Sequence, residues 1–173
     1  MPEQLQKEGD GRMSTVMQTE ASTNAILSSQ ADTQMFVTTR IERQLIGIPV
    51  RFVRDVLRGQ KVTPIPLSPP EVSGSLNLRG RIVTVIDVRR RLRLTEMDLN
   101  TKYMFVVVEH KGELYSLMVD HVGDVLTAPT AAIEKVPANL GGAWKEVASG
   151  IYKMSDELLV IVDVETLLKL RTN

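Results

Sequence analysis

Twenty-one lysines and arginines balance 21 aspartates and glutamates across 173 residues, so the chain carries no formal net charge. That balance gives no general pull toward nucleic acid or anionic lipid. The lack of cysteine excludes disulfides, thiolate metal sites and cysteine nucleophiles, and an aromatic share of only 4 % leaves the core to valine, leucine and isoleucine.

Residues 1–33 are polar, from Met1-Pro2-Glu3 to Ala31-Asp32-Thr33, and lack the apolar h-region of a secretory signal. They read as a flexible N-terminal tail on a cytoplasmic protein. From Gln34 the pattern changes. Met35–Ile41 and Gln44–Val50 read as strands around a turn at Glu42-Arg43. Val50, Val53, Val56 and Leu57 recur at helical spacing and suggest one amphipathic turn, ended by Gly59. Val62–Leu67 is extended because each proline disfavours a helix before it. Ser68-Pro69-Pro70 is a loop, and a short helical turn is expected at Pro70-Glu71-Val72.

Residues 74–81 read as a polar hairpin corner with Gly74 and Gly80 near its ends and Arg79 in its middle. Ile82–Ile86 is a continuous apolar run, the pattern of a strand covered on both sides. Asp87 caps a short helix to Leu92. Residues 95–102 form a polar linker. Tyr103–Glu109 is a second buried strand, His110–Glu113 a hairpin turn, and Leu114–Val119 the returning strand. His121–Leu126 follows, then a loop-rich segment over 127–144. Val147–Tyr152, Leu158–Val162 and a final helix, Val164–Leu170, close the sequence.

The two halves repeat each other. Val50-Arg51-Phe52-Val53-Arg54-Asp55-Val56-Leu57 aligns with Val119-Asp120-His121-Val122-Gly123-Asp124-Val125-Leu126, and Val83–Leu94 aligns with Leu159–Leu170. The buried strand, the capping aspartate (Asp87, Asp163) and the helix leucines all recur in the same order. Two similar β subdomains follow, each too small for a large core of its own, with apolar residues filling the seam between them. The repeat does not account for Arg79, which has no arginine counterpart in the second half.

The sequence resembles the CheW family of chemotaxis adaptor proteins. The resemblance rests on Gly47-Ile48 before Val53-x-Asp55-Val56, then Thr63-x-Ile65-Pro66, then Val72-x-Gly74-x-x-Asn77-Leu78-Arg79-Gly80-x-Ile82-Val83-x-Val85-Ile86-Asp87-x-Arg89. In the second half it rests on Val119-Asp120-x-Val122-x-Asp124-Val125-Leu126 and on Leu159–Leu168. The resemblance spans residues 34–170. It implies a mainly β fold: two SH3-like five-stranded barrels packed together with a few short helices. The first barrel is expected over about 34–97 and the second over about 98–170, with termini free to exchange between them. It further implies no catalysis and no cofactor or metal. The family joins the helical hairpin tip of methyl-accepting chemoreceptors to the regulatory domain of the CheA histidine kinase, in arrays on the inner face of the membrane. Carried over by position, Val53, Asp55 and Arg79 fall beside the family's receptor-binding groove, and Val119 and Val122 would supply its apolar wall. No residue is assigned to the kinase contact. Asp55 stands where the family usually has glutamate, and Thr84 where proline is common.

The other candidates have structural readings. Asp87 and Asp163 repeat at helix starts and read as caps rather than phospho-acceptors. Arg89-Arg90-Arg91 and Arg93 read as a solvated helix face. The alternative function, a small-barrel nucleic-acid-binding protein, needs a basic face with exposed aromatic residues, which the charge balance opposes. His110 and His121 belong to no ligand-spaced motif.

Overall fold

A computed structural model describes residues 32–95 and 102–170. The expected tail lies outside them as far as residue 31, and Thr33 already belongs to the first strand.

β1 (Thr33–Ile41) and β2 (Gln44–Pro49) make the expected hairpin around Glu42-Arg43. The next segment departs from expectation. Only Val50–Phe52 is helical, as a 3-10 turn, and β3 (Val53–Arg58) is a strand. The misleading valine spacing comes from a register shift between Val53 and Asp55 against the neighbouring strand, which breaks the two-residue alternation. At Pro70–Val72 the expected helical turn is a single hydrogen-bonded turn, the Val72 N–H donating to the Pro69 carbonyl at 2.9 Å, and it goes no further because Val72 opens β4 (Val72–Leu78). The expected polar corner over 74–81 shrinks to a two-residue turn, Arg79-Gly80, before β5 (Arg81–Asp87). Ile82 is 74 % exposed, so the apolar run of β5 is not covered at its start.

Helix α1 (Val88–Arg91) follows, and the Asp87 side chain accepts from the Arg90 N–H as its cap. β6 (Met104–His110) and β7 (Glu113–Val119) form a second tight hairpin, and β8 (His121–Pro129) runs past the expected end at Leu126. The segment read as loop also holds a 3-10 turn (Thr130–Ala132), a short β9 (Ile133–Glu134) and α2 (Gly142–Val147). β10 (Ala148–Lys153), β11 (Leu158–Val162) and α3 (Val164–Leu168) complete the described chain, with Asp163 capping α3.

The strands form two sheets. Barrel I runs β3-β6-β7-β5-β4, and barrel II runs β8-β1-β2-β11-β10-β9. Each closes because its edges are neighbours in the chain. After β3 the chain returns to β4 through paired bonds between Thr63 and Ser75, each 2.8 Å. After β8 it passes through the Thr130–Ala132 turn into β9. The sheets do not divide at 97/98. Hairpin β1–β2 pairs with β8 and, in parallel, with β11, whereas hairpin β6–β7 pairs with β3 and, in parallel, with β5. Each half therefore lends its first hairpin to the barrel built on the other half's later strands. The Val50–Phe52 turn carries the chain from one barrel to the other, and Asp120 carries it back.

The apolar runs now have a physical reason. Among the described residues, Phe36, Leu45, Ala128, Leu159 and Ile161 fill barrel II, and Leu76, Val83, Val85, Phe105 and Met118 fill barrel I. A larger cluster lies in the seam between them, including Ile46, Ile48, Ile86, Val106, Leu117, Val160 and Val162. Adjacent residues such as Leu159 and Val160 face the barrel interior and the seam in turn. Both faces of these strands are thus buried, and the two-residue polarity pattern disappears.

Candidate functional site

The β4–β5 hairpin ends in the pair Leu78 and Arg81, with Arg79 and Gly80 at its two central turn positions. Both central residues have positive φ, 53° and 84°, as a primed two-residue turn requires to match strand twist. Glycine tolerates that conformation, whereas a left-handed side-chain-bearing residue costs roughly 1–2 kcal/mol. Asn77 supports the turn, its Oδ1 accepting from the Gly80 N–H at 2.8 Å.

The Arg79 guanidinium projects across the open end of barrel I. Its Nη2 donates to Asp55 Oδ2 at 3.1 Å, while Asp55 Oδ1 accepts from the Val56 N–H at 2.9 Å. The arginine side chain is 83 % exposed and the aspartate 24 %. β3 and β4 are opposite edges of the sheet, so barrel closure is what brings these two residues together. A single-contact, exposed ion pair contributes about 0–1 kcal/mol. It does not outweigh the conformational cost of the turn, so stability alone does not account for an arginine at this position.

Around the pair the barrel end forms a depression of about 310 Å³ with Leu78 and Leu114 on its wall. Arg54, Arg81 and Glu109 complete the rim. Arg54 Nε donates to Glu109 Oε2 at 2.8 Å. The sequence reading missed these residues. The signal for Arg81 was present, since a two-residue turn at Arg79-Gly80 places it opposite Leu78.

The other expected site residues go elsewhere. Val53 is half-buried against the seam cluster. Val119 and Val122 belong to that cluster and are 1 % and 8 % exposed. They lie on either side of the β7–β8 crossing, pointing between the barrels, and form no wall that a partner can touch without opening the core. The geometry thus joins Asp55 and Arg79, leaves Val53 on the seam side of the same strand, and removes Val119 and Val122 from the surface.

Among the described residues, no group of three or more histidine, cysteine, aspartate or glutamate side chains gathers as a metal site. Nor is any described helix long and apolar enough to cross a membrane. Beside the crossing at Asp120, Arg89 Nε donates to Asp120 Oδ1 at 2.7 Å, and the same guanidinium donates to the Thr95 carbonyl at 2.8 Å. The hydrogen bonds to Asp120 raise the Arg89 pKa further, against a smaller opposing effect of burial. This pair is a structural clasp between α1 and the barrel crossing.

Comparison with known proteins agrees with this architecture. Residues 35–172 match the family model for the CheW-like domain. The chemotaxis protein CheW of Bacillus subtilis (strain 168) is 30% identical over 122 residues, covering 70% of this chain and 78% of that one. The protein of the same name from Treponema pallidum (strain Nichols) is 26% identical over 135 residues, covering 76% and 79%. The crystal structure of the scaffolding protein TtCheW from Thermoanaerobacter tengcongensis superimposes with a TM-score of 0.72 at 26% identity, covering 80% of this chain and 94% of that one. Twin barrels with exchanged hairpins, the Asn-Leu-Arg-Gly turn and a family match along nearly all of the described chain carry one conclusion: this protein belongs to the CheW-like family.

Proposed function

We propose that this chain is a non-enzymatic chemotaxis adaptor that couples the helical tip of chemoreceptors to a CheA-type histidine kinase, in arrays at the cytoplasmic face of the membrane. One observation supports the receptor site above the others: Arg79 holds an exposed guanidinium in an unfavourable backbone conformation, aimed across an apolar-walled barrel mouth. A helical hairpin presents a ridge of side chains, and a rim cation beside a small apolar depression sets the register and arrival rate of such a ridge. Asp55 and Arg79 form the rim of the receptor contact, with Val53 alongside. The kinase regulatory domain takes a separate face of the double barrel.

The test is a pair of titrations, one with the cytoplasmic tip fragment of a chemoreceptor from the same genome and one with the kinase regulatory domain. Arg79→Ala is expected to weaken tip binding by about tenfold, the low end of the range for removing one charge-assisted interfacial bond, and to leave kinase binding and the melting temperature unchanged. Equal loss toward both partners in a folded variant, or no loss toward the tip, would remove Arg79 from the receptor site.

A further inference from the structure

The duplication supplies an internal control for the barrel mouth. In each first hairpin the same register pair stands at the rim, Glu109 opposite Leu114 in barrel I and Arg40 opposite Leu45 in barrel II. Across the mouth, Leu78, Arg79 and Arg81 of barrel I correspond to Met154, Ser155 and Glu157 of barrel II. Asp55 corresponds to Asp124 and Arg54 to Gly123.

Barrel II pairs its rim charges with each other at this point, beside a depression of about 480 Å³. Arg40 Nη2 donates to both Glu157 oxygens, at 3.1 and 3.0 Å. Barrel I carries the same two charges with their signs exchanged, Glu109 for Arg40 and Arg81 for Glu157, yet the equivalent bond is not made. Glu109 is drawn to Arg54 instead, 2.8 Å away. Barrel II has no competitor there: its residue is Gly123, where an added Cβ would stand 2.7 Å from Thr38 Oγ1. Arg79 is engaged by Asp55. Arg81 is exposed and, among the described residues, its side chain has no ion pair or hydrogen bond. The mouth of barrel I therefore carries one uncompensated positive charge, two residues from Arg79 and beside Leu78 and Leu114.

We propose that Arg81 is a second recognition residue of the receptor contact. It receives an acidic side chain of the receptor hairpin, while Arg79, held by Asp55, fixes the adjacent rim. This rests on the adaptor reading above. The chemistry favours a carboxylate because the surplus charge is a guanidinium, which pairs with it through two parallel bonds. The apolar wall at Leu78 and Leu114 takes the stem of the same residue. Arg54 acts as a positioning residue, since it diverts Glu109 from Arg81.

The experiment titrates the full chain with the receptor tip fragment at low and high salt, and with the kinase regulatory domain in parallel. Arg81→Ala is expected to weaken tip binding by about tenfold at low salt, with the difference shrinking at high salt as the charge is screened. Arg81→Glu is expected to be worse than Arg81→Ala, because it sets two carboxylates against each other. Kinase binding stays unchanged in both, as does tip binding by Glu157→Gln, which alters the twin mouth. Tip binding by Arg81→Ala equal to wild type would overturn the proposal. So would a loss by Arg81→Glu no greater than that by Arg81→Ala, which would mean that no carboxylate faces this position. If the wild-type chain fails to bind the tip while Arg81→Ala folds normally, the adaptor reading itself falls, and this proposal with it.

Discussion

Two arginines of the same motif do opposite work, and their surroundings show why. The Arg79 side chain is 83 % exposed and meets one carboxylate oxygen. Arg89 is 12 % exposed and lies among Asp120, the Thr95 carbonyl and Glu42. Asp120 also accepts from the Glu42 N–H at 2.6 Å, so its carboxylate ties the first hairpin turn and α1 to the barrel crossing. Asp120→Asn removes one charge and leaves the other enclosed, a change that costs about 2–3 kcal/mol in a largely buried pair. At this chain length that lowers the melting temperature by roughly 5–10 °C. Thermal denaturation followed by circular dichroism checks it, and a melting point within a degree of wild type would show that the clasp bears no load. At this scale the caps were legible, since Asp87 and Asp163 act as their position at the start of a short helix indicates. The exposed Arg79 was legible too, because a turn had to hold it outside. Val119 and Val122 were not: a valine facing a groove and a valine facing a seam have the same sequence, and only the packing of the second barrel separates them.

Among the elements, β4 shows how a strand can be disguised. Its sequence, Val-Ser-Gly-Ser-Leu-Asn-Leu, has the composition of a turn, yet it pairs along its length with β5. Gly74 sits at a register shift with φ of 149°, and a Cβ there would lie 2.2 Å from the Thr63 carbonyl oxygen. The glycine is present because Thr63 must approach close enough to bond with Ser75 and close barrel I. Gly74→Ala is expected to push Thr63 away and open that edge. The Thr63 and Ser75 amides should lose hydrogen-exchange protection before those of β6 and β7 do, and overall stability should fall by about 2–4 kcal/mol. Unchanged protection at both amides would mean that the loop yields without breaking the bridge. β3 was hidden by its own irregularity, whereas β1, β2, β6, β7 and β11 were readable because long apolar or alternating runs have no other explanation at that length.

For the whole molecule, the duplication was visible in the sequence, whereas exchange between the barrels was expected only through the family resemblance, because strand pairing between halves leaves no local mark. The exchange has an energetic consequence. Barrel I is one contiguous stretch, β3 to β7, that draws on both halves, barrel II joins β1–β2 to β8–β11, and the largest apolar cluster among the described residues lies between the barrels rather than inside either. Opening barrel II would strip β1 and β2 from β8 and β11 and expose Ile46, Ile48 and Val160, which also cover Ile86 and Leu117 of barrel I in the seam. Barrel I would then keep only its small interior set of side chains, too little apolar burial to stand against the conformational entropy of its strands. The two barrels are therefore expected to unfold together. Trp144, the single tryptophan, packs against the seam cluster and reports the interface, whereas far-ultraviolet circular dichroism reports the strands of both barrels. In urea the two signals should follow one transition with a common midpoint and slope. Separate midpoints, with tryptophan exposure preceding loss of strand signal, would show that the barrels hold their folds independently and that the seam is an interface rather than a core. A single transition would mean that substitutions at either mouth act on one folded unit, so that a change in partner binding without a change in midpoint reports recognition and not partial unfolding.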